Sequence, residues 1–343
     1  MHNGESSLDL SIVIVSYNTR DVTRHCLQTV LAHTQGLAYE VIVVDNGSTD
    51  GSVEMIRSEF PLVNLICNYE NRGFAAAQNV GLRAANGACL MILNSDVLFV
   101  GNTAKQLMEH LLRGSPTLAM VGPQVLNPNG TIAPSARRAT LSKPMIALSL
   151  INRHFYFKRF LPESHMRKYL RFLARWHDNY APHDVVRQVE FVDGMCAMVK
   201  REVLEKVGLF DEQFFFDAEI IDLANRIRAR GWTIEFFPGA KAIHLGHASR
   251  KKLSCIVVET HRSELVYYAK HAPDVVPFVR KVARLVVSLR IFLVKIGLAF
   301  APADISRRAS LDLYQQILDL CSNFSADSVR LNERTPVLPP IPQ

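Results

Sequence analysis

LSIVIVS at Leu10–Ser16 and EVIVV at Glu40–Val44 are short runs in which nearly every residue is apolar and most are β-branched. Such runs are typical of strands that are buried on both faces, as in a parallel sheet covered by helices. Between them, Arg20–Thr34 places apolar residues at helical spacing. The sequence therefore predicts two parallel strands joined by a crossover helix.

The same alternation of strands and helices continues to about residue 126. The next helix begins at a capping residue, for which Asp50 and Ser52 are both candidates. It is followed by a strand, an alanine-rich helix and two more strands at Val63–Cys67, Phe74–Ala85, Ala88–Leu93 and Leu118–Val121. Repeated units of this kind predict the α/β class, with a doubly wound, mostly parallel sheet flanked by helices. No GxGxxG follows the first strand, which argues against a nucleotide-dependent oxidoreductase.

The rest of the chain divides into three parts. We interpret residues 127–250 as the second half of the same domain, with a basic insertion at about residues 135–187. Residues 251–334 predict a helical C-terminal extension, and the proline-rich residues 335–343 predict a loose tail. Four helices and one strand are expected in the second half, at Lys143–Leu150, Arg167–Trp176, Arg201–Val207, Glu219–Arg230 and Trp232–Phe237.

The net charge of +7 favours an anionic partner, such as a phosphorylated small molecule or an acidic lipid. The basic residues cluster at 137–187 and 250–308, outside any recognisable nucleic-acid-binding motif, so we expect no nucleic-acid partner. The six cysteines show no metal-ligand spacing and are expected to be buried, reduced thiols. The first ten residues lack the apolar core of a secretion signal, which favours a cytoplasmic protein.

Polar residues follow three of the predicted strands, at Ser16-Tyr17-Asn18, Asp45-Asn46-Gly47-Ser48 and Asn94-Ser95-Asp96. Since ligands of doubly wound sheets bind beyond the carboxyl ends of the strands, we expect these residues to share one site. Asp45 is suited to accept a hydrogen bond from a base or a ribose. Asp96, with Asn94 two residues before it, is suited to hold Mg²⁺ or Mn²⁺ beside a diphosphate. Each segment alone is equally consistent with a simple capping turn.

Asn71-Arg72-Gly73, with Asn79 further on, lies at the start of the alanine-rich helix. A helix N-terminus with an arginine beside it favours an anion such as a diphosphate. The alternative is a surface arginine in front of a packed helix. The segment is therefore a second candidate for contact with a nucleotide.

Residues 214–247 supply side chains suited to catalysis. Glu219 and Asp222 stand one helical turn apart, after the aromatic run Phe214-Phe215-Phe216. A carboxyl group in such surroundings can have its pKa raised into the range of a general base. Asp222 is also explained by an ion pair with an arginine four residues on. Two histidines follow the predicted strand and are candidate metal ligands, His244 and His247.

These segments, in this order, resemble the inverting GT-A glycosyltransferases of family 2, especially the rhamnosyltransferase-like branch. The matching pieces are SIVIVSYN, VIVVDNGSTDGS, NRGFAAAQNVGL, LMILNSDV, VDGMCAMVKREVLEKVGLFDEQFFF, RIRARGW and AIHLGH. The resemblance implies a GT-A fold, a nucleoside diphosphate sugar as donor and a Mg²⁺ or Mn²⁺ ion. It also implies that residues 1–126 form the half that binds the nucleotide sugar.

The resemblance implies roles for individual residues as well. Donor binding is expected of Ser16, Tyr17, Asn18, Asp45, Asn46, Ser48, Asn71, Arg72, Gly73, Asn79, Asn94 and Ser95, metal binding of Asp96 and His244, and acceptor binding of Asp193 and Gly194. The family's usual pair of acids is incomplete, because Ile220 stands in place of the second acid. We therefore expect Glu219 to be the general base, with Asp222 and Asp217 in reserve.

The implied reaction is an inverting transfer of a sugar, with rhamnose as one candidate, to a cell-surface polysaccharide or a lipid-linked glycan. The alternative is a degenerate transferase that binds the nucleotide sugar without catalysis. We expect the protein at the inner face of the cell membrane. Residues 280–301 predict an amphipathic helix that lies on the membrane surface, because Arg284, Arg290 and Lys295 make a membrane span costly. The alternative is an ordinary helix packed on the catalytic domain.

Overall fold

The computed structural model describes residues 8–133, 136–137, 143–155, 184–246, 254–301 and 303–329. Three features expected from the sequence lie outside these residues: the helix at Arg167–Trp176, the tail at 335–343 and His247. Much of the basic insertion also lies outside them. Within the described residues, one large sheet carries helices on both faces, and further helices from the C-terminal part pack beside it.

Four parallel strands form the N-terminal half of the sheet. In spatial order they are β3 (Asn64–Cys67), β2 (Tyr39–Asp45), β1 (Leu10–Ser16) and β4 (Cys89–Asn94). The register places Ser16 beside Asp45 and Val15 beside Asn94. The carboxyl ends of β1, β2 and β4 therefore finish at the same edge of the sheet.

The other half of the sheet is mixed. Here β11 runs antiparallel between β4 and β6, β12 runs parallel to β6, and β5 lies antiparallel to β12 at the edge. The bounds are β5 Val97–Val100, β6 Leu118–Leu126, β11 Cys196–Lys200 and β12 Thr233–His244. Two short strands, β7 Ile132–Ala133 and β9 Arg187–Val189, extend this sheet beside β6 and β12. Two others, β8 Ala136–Arg137 and β10 Phe191–Val192, pair with each other in a separate two-stranded sheet.

Helices cover both faces of the sheet, each over its own apolar core. One face carries α1 (Arg20–His33), α2 (Ser52–Glu59) and α4 (Thr103–Arg113). The opposite face carries α3 (Phe74–Ala84), α6 (Arg201–Val207) and α7 (Glu219–Ala229). This arrangement confirms the prediction of a doubly wound sheet flanked by helices.

A third core holds the remaining helices together. They are α5 (Lys143–Phe155), α8 (Ser254–His271), α9 (Val276–Phe300) and α10 (Ile305–Asn323). Phe214 and Ala218, from the segment before α7, are buried in the same core. No helix in the described part of the chain is long and apolar enough to cross a membrane. The helical C-terminal region is confirmed, and the division of the chain at residues 126 and 250 stays a prediction.

The structure adds to or corrects several expected elements. The strand Val97–Val100 and the helix Thr103–Arg113 were not expected, and β6 continues to Leu126. The strand expected at Trp232–Phe237 continues to His244, because Pro238-Gly239 forms a bulge where the pairing with β6 shifts, rather than a turn. Cys67 is exposed, contrary to expectation, because it ends the edge strand β3.

Candidate active site

A cavity of about 800 Å³ opens at the edge of the sheet where β1, β2 and β4 end. The sequence-predicted residues that line it are Tyr17, Asn46, Asn71, Gly73, Asn94, Ser95, Asp96, Asp193 and His244. The other predicted residues are absent from its lining, namely Ser16, Asn18, Asp45, Ser48, Arg72, Asn79, Gly194, Glu219 and Asp222. The topology therefore brings together residues that are far apart in the sequence.

Asp45 ends β2, directly before the lining residue Asn46, and is 1% exposed. Its Oδ1 accepts a hydrogen bond from the Ser48 backbone N–H at 2.8 Å, whereas Oδ2 has no partner among the described residues. A buried acceptor without a partner costs roughly 1–3 kcal/mol. The free oxygen is therefore suited to a ligand N–H or O–H, as expected for contact with a nucleoside.

Reciprocal hydrogen bonds hold the loops of this edge in place. The Asn18 backbone N–H donates to Ser48 Oγ at 2.8 Å, and Asn18 Oδ1 accepts from the Thr49 backbone N–H at 2.8 Å. Asn46 Nδ2 donates to Asn71 Oδ1 at 2.9 Å and to the Gly73 carbonyl at 3.2 Å. Asn18 and Ser48 thus support the cavity from behind, and Asn46 links β2 to the loop before α3.

Gly73 brings the loop before α3 against the segment before α7. Its φ is +82°, which favours glycine, and a Cβ atom there would lie 2.5 Å from the Phe215 carbonyl oxygen. The next residue, Phe74, donates its backbone N–H to the same oxygen at 2.8 Å. Phe215 and Phe216 in turn line the cavity, so the two segments form adjoining walls.

Arg72 and Asn79 lie away from the cavity lining. The Arg72 guanidinium, about half exposed, lies 3.8 Å from the Glu212 carboxylate. Asn79 is fully buried and bonds the Phe210 backbone and Glu212, so it fastens α3 to the segment before α7. Ser16 is also buried, in a hydroxyl cluster with Thr19 and Thr23, and Ser95 joins that cluster through Thr19. These contacts favour structural roles for Asn79 and Ser16.

Asp96 and His244 form the candidate metal-binding pair. Asp96 follows β4, His244 ends β12, and His244 Nε2 lies 3.2 Å from Asp96 Oδ2. The pairing of His244 with Val97 across β12 and β5 sets this distance. No cluster of three or more His, Cys, Asp or Glu ligands occurs in the described residues. Two protein ligands facing a cavity nevertheless fit Mg²⁺, which is usually held by one or two carboxylates, phosphate oxygens and waters.

Glu219 is the first residue of α7 and is 7% exposed. Burial, reinforced by the negative charges of Asp217 and Asp193, raises the pKa of its carboxyl group to about 8. Its Oε2 has no hydrogen-bond partner among the described residues. Asp217 and Ala218 precede it with φ values of +72° and +68°, a left-handed conformation that is strained for residues other than glycine. Such strain is concentrated at active sites, which supports a functional role for Glu219.

Ile220 points into the apolar core rather than toward the cavity. It is 6% exposed, and a Cβ atom on Gly194 would lie 3.4 Å from Ile220 Cβ. Gly194 is itself buried, whereas its neighbour Asp193 lines the cavity. Of the two residues expected to contact the acceptor, Asp193 alone is among those lining the cavity, and its carboxylate acts electrostatically on Glu219.

Asp222 lies at the centre of a buried ionic cluster. Its Oδ1 accepts from Lys270 Nζ at 2.5 Å and from His271 Nε2 at 2.9 Å, and Arg226 Nε donates to Oδ2 at 2.9 Å. Burial would raise the pKa of Asp222, but the His271 hydrogen bond and the charges of Arg226 and Lys270 outweigh it, and the pKa lies well below its usual range. These contacts favour a structural role, in which Asp222 fastens α8 to α7.

Several lining residues were not anticipated from the sequence. Asn127, Pro128 and Asn129 follow β6, and the turn signal there could have identified them as a loop at the same edge of the sheet. Leu245 follows β12, where its backbone N–H donates to the Asp96 carbonyl at 2.9 Å. Ile256 comes from α8, and no local signal links that helix to the cavity.

The doubly wound sheet, with a cavity where β1, β2 and β4 end, agrees with the GT-A fold that the sequence resemblance implied. The chain belongs to glycosyl transferase family 2, because the family model matches residues 11–208, more than half of its length. It is 25% identical over 272 residues to the N-acetylglucosaminyl-diphospho-decaprenol L-rhamnosyltransferase of Mycobacterium tuberculosis, covering 76% of this chain and 84% of the relative. The expected family and its rhamnosyltransferase-like character are thereby confirmed.

Two solved structures share the fold. One is the mannosyltransferase PcManGT from Pyrobaculum calidifontis in complex with GDP-Man and Mn²⁺, with a TM-score of 0.51 and 17% identity over 95% of this chain and 88% of that chain. The other is GalNAc-T7 with UDP, GalNAc and Mn²⁺, with a TM-score of 0.52 and 18% identity. The alignment covers 78% of this chain and 51% of GalNAc-T7.

Proposed function

We propose that the protein transfers a sugar, with inversion at the anomeric carbon, from a nucleoside diphosphate sugar to a glycan acceptor. The observation that carries the proposal is the meeting of the Asp96–His244 pair and Asp193 in one cavity, next to Asp45, whose Oδ2 has no partner among the described residues. Bound GDP-Man and Mn²⁺ in the structurally similar mannosyltransferase support a donor of this class.

The donor is oriented by the edge where β1, β2 and β4 end. Asp45 Oδ2 accepts a hydrogen bond from the nucleoside, and Asn46 and Asn71 present amide groups beside it. Asp96 and His244 would hold a Mg²⁺ or Mn²⁺ ion, which offsets negative charge on the diphosphate when bound. Arg72 lies outside the lining, between the lining residues Asn71 and Gly73, and adds positive charge to this loop, although the Glu212 carboxylate lies 3.8 Å away.

Glu219 acts as the general base. It removes the proton from an acceptor hydroxyl, whose oxygen then bonds to the anomeric carbon as the bond to the diphosphate oxygen breaks. A pKa of about 8 makes the ionised carboxylate a strong enough base for this step near neutral pH. Because Glu219 is not among the residues that line the cavity, we propose that the acceptor reaches it when the strained segment at Asp217 and Ala218, next to the lining residue Phe216, shifts.

The rhamnosyltransferase relative suggests the substrates. Its name describes an L-rhamnosyl transfer to a lipid-linked N-acetylglucosaminyl diphosphate. We therefore propose L-rhamnose as the first sugar to test, and a lipid-linked glycan or a growing cell-surface polysaccharide as the acceptor. A lipid-linked acceptor places the reaction at the inner face of the cell membrane, where nucleotide sugars are available.

A second candidate is a transferase that has lost catalysis and retains donor binding. Ile220, where the family resemblance implies an acid, is packed in the apolar core, and Glu219 is not part of the cavity lining. Under this alternative, Asp45 and the Asp96–His244 pair still bind a nucleotide sugar. The two candidates differ only in turnover, so one experiment has to measure both properties.

Thermal-shift screening against nucleoside diphosphates and their sugars, with and without Mn²⁺, tests donor binding. A ligand at 100 times its Kd stabilises the folded state by about 2.7 kcal/mol, so the preferred nucleoside is readily identified. Release of nucleoside diphosphate from the preferred donor then tests turnover. Binding with release supports the enzyme, and binding without release in the presence of candidate acceptors supports the degenerate transferase. A protein that binds no nucleotide sugar would contradict both.

A further inference from the structure

Helix α9 (Val276–Phe300) buries one side and exposes an apolar surface on the other. Val279, Ala283 and Val287, with neighbours on the same side, pack into the third core. Six large apolar side chains of the same helix are exposed, with exposed fractions from 41% for Ile296 to 86% for Phe300. We name this set the apolar stripe: Leu285, Leu289, Phe292, Leu293, Ile296 and Phe300.

The apolar stripe is continuous along the helix. At 3.6 residues per turn, its six residues fall within an arc of about 100° on the helix surface. At 1.5 Å per residue, the distance from Leu285 to Phe300 is about 22 Å. Single exposed apolar residues are common on protein surfaces, but a contiguous set of this kind marks an interaction site.

Basic side chains border one edge of the apolar stripe. Lys281, Arg284 and Lys295 are exposed and occupy roughly the next 80° of the helix surface. Lys281 and Arg284 also line a groove between α9 and α10 that contains Ser288 and Ser322, with Asp319 as its acidic member. An apolar face bordered by lysine and arginine is the pattern of a helix that lies in the membrane interface.

Two other arginines of the helix do not belong to this basic border. Arg280 donates to the carbonyl oxygens of Cys321 and Ser322 at the end of α10. Arg290 donates to the Tyr314 hydroxyl. Arg280 is therefore not part of the exposed basic border, because its guanidinium bonds to α10. Because Arg280 and Arg290 both bond to α10, the outward surface of α9 consists of the apolar stripe with Lys281, Arg284 and Lys295 beside it.

We propose that the apolar stripe inserts into the headgroup region of an anionic lipid bilayer, and that Lys281, Arg284 and Lys295 contact the lipid phosphates. Charge complementarity favours an anionic bilayer over a second copy of the chain as the partner of this surface. A second copy of the chain would present the same basic border and the same net charge of +7, whereas an anionic bilayer offers the opposite charge and an apolar interior. This proposal rests on the proposed function in one respect: a transferase that uses a lipid-linked acceptor gains from being held at the membrane.

Co-sedimentation of the full chain with vesicles tests the proposal. One vesicle type is pure phosphatidylcholine. The other contains about 30% phosphatidylglycerol, which gives it a strongly anionic surface. We expect binding to the anionic vesicles at low salt, and weaker binding at high salt. A triple substitution of the apolar stripe, Leu289→Ser, Phe292→Ser and Ile296→Ser, should weaken binding at least about tenfold. Replacing the three basic residues by Gln should weaken it roughly fivefold for each charge.

The matched control carries Leu62→Ser and Leu112→Ser, since both leucines are exposed on the sheet-containing part of the molecule, away from α9. It should bind vesicles like the wild type. All variants should give the wild-type thermal shift with nucleoside diphosphate and Mn²⁺, which separates failure of this proposal from failure of the proposed function. Absence of wild-type binding at low salt, or equal binding by the stripe variant, would overturn lipid insertion. So would a concentration-dependent dimer that the stripe variant alone loses, because that result assigns the surface to a second copy.

Discussion

The edge of the cavity where β1, β2 and β4 end, which we call the donor edge after its proposed role, and the start of α7 are built in opposite ways. At the donor edge, polar side chains satisfy one another, as in the bonds of Asn46 to Asn71 and of Asn18 to Thr49. At the start of α7, Glu219 is buried with an unpaired oxygen, after two residues in a strained conformation. The first arrangement holds ligand-binding groups in place before the ligand arrives. The second preserves the reactivity of one carboxylate at a cost in stability.

The same contrast occurs between two acids on one helix. Glu219 and Asp222 lie three residues apart, and both are buried. Asp222 accepts hydrogen bonds from Arg226, Lys270 and His271, which keep it ionised, whereas the charges near Glu219 are the negative ones of Asp217 and Asp193. Burial alone therefore does not identify a catalytic acid, because its neighbours decide which protonation state is stable.

The largest expected effect is on turnover, from Glu219→Gln. General-base catalysis typically contributes about 10²–10⁴-fold, so the release of nucleoside diphosphate should slow by that factor while donor affinity is retained. In the wild type, turnover should rise with pH up to about 8, because the base must lose its proton. Asp217→Asn is the matched variant: removing that negative charge should lower the pKa of Glu219 and shift this rise to lower pH. Unchanged turnover in Glu219→Gln would transfer the role to Asp193 or Asp217.

Glu219 also makes stability depend on pH. The folded carboxyl group holds its proton up to a pKa of about 8, whereas the unfolded group loses its proton near the ordinary pKa of 4.5. The folded state therefore binds the extra proton between these values, and the free energy of unfolding should fall as pH rises from 4.5 to 8. Urea unfolding of Glu219→Gln should lack this decline. A decline of equal size in the variant would assign it to another group.

Lys270→Met should have the largest effect on stability. Removing this cation leaves Asp211 and Asp222 without the amine that lies 2.7 Å and 2.5 Å from their carboxylates. Breaking a buried ion pair by removing one partner typically costs about 3–5 kcal/mol, which urea unfolding would measure. Arg113→Met is the control, because the Arg113–Glu109 pair lies on the surface and such pairs contribute at most about 1 kcal/mol. Equal losses in the two variants would contradict a structural role for the Asp222 cluster.

Asp96→Ala should weaken Mn²⁺-dependent donor binding at least about 100-fold, because it removes the carboxylate of the proposed Asp96–His244 metal site. The affinity for the nucleoside diphosphate measured without metal should change little. Isothermal titration with nucleoside diphosphate, with and without Mn²⁺, measures both quantities. His244→Ala should act in the same direction, and unchanged metal dependence in both variants would place the ion elsewhere.

The smallest expected effect comes from Asn18→Ala. The variant loses the acceptor for the Thr49 N–H and leaves alanine at φ +51°, together worth about 1–2 kcal/mol. Donor affinity should fall only a few-fold, because Asn18 supports the cavity from behind. Asn18→Asp keeps the acceptor and should restore most of the loss. A loss of affinity as large as that of Asp96→Ala would instead indicate direct contact with the donor.

The donor edge was largely predictable from the sequence because its residues follow strands whose order and direction are set by local patterns. Asn46, Asn94 and Asp96 each come within three residues of the end of an apolar run, and parallel strands deliver such residues to one edge. Arg72 and Asn79 were assigned to the donor for a different local reason, namely their place at the start of the alanine-rich helix. Their bonds to Glu212, from a distant part of the chain, explain why they lie elsewhere.

The sequence by itself determined the doubly wound sheet, the family and the polar residues at the ends of β1, β2 and β4, because strand periodicity and strand-end motifs are local properties. Only the tertiary structure decided the separate fates of Glu219 and Asp222, which follow from Lys270 and His271 on α8. It also decided which side of α9 is exposed, since that depends on the packing of α10. Protonation and exposure are set by neighbours that are far apart in the sequence, and no local pattern records them.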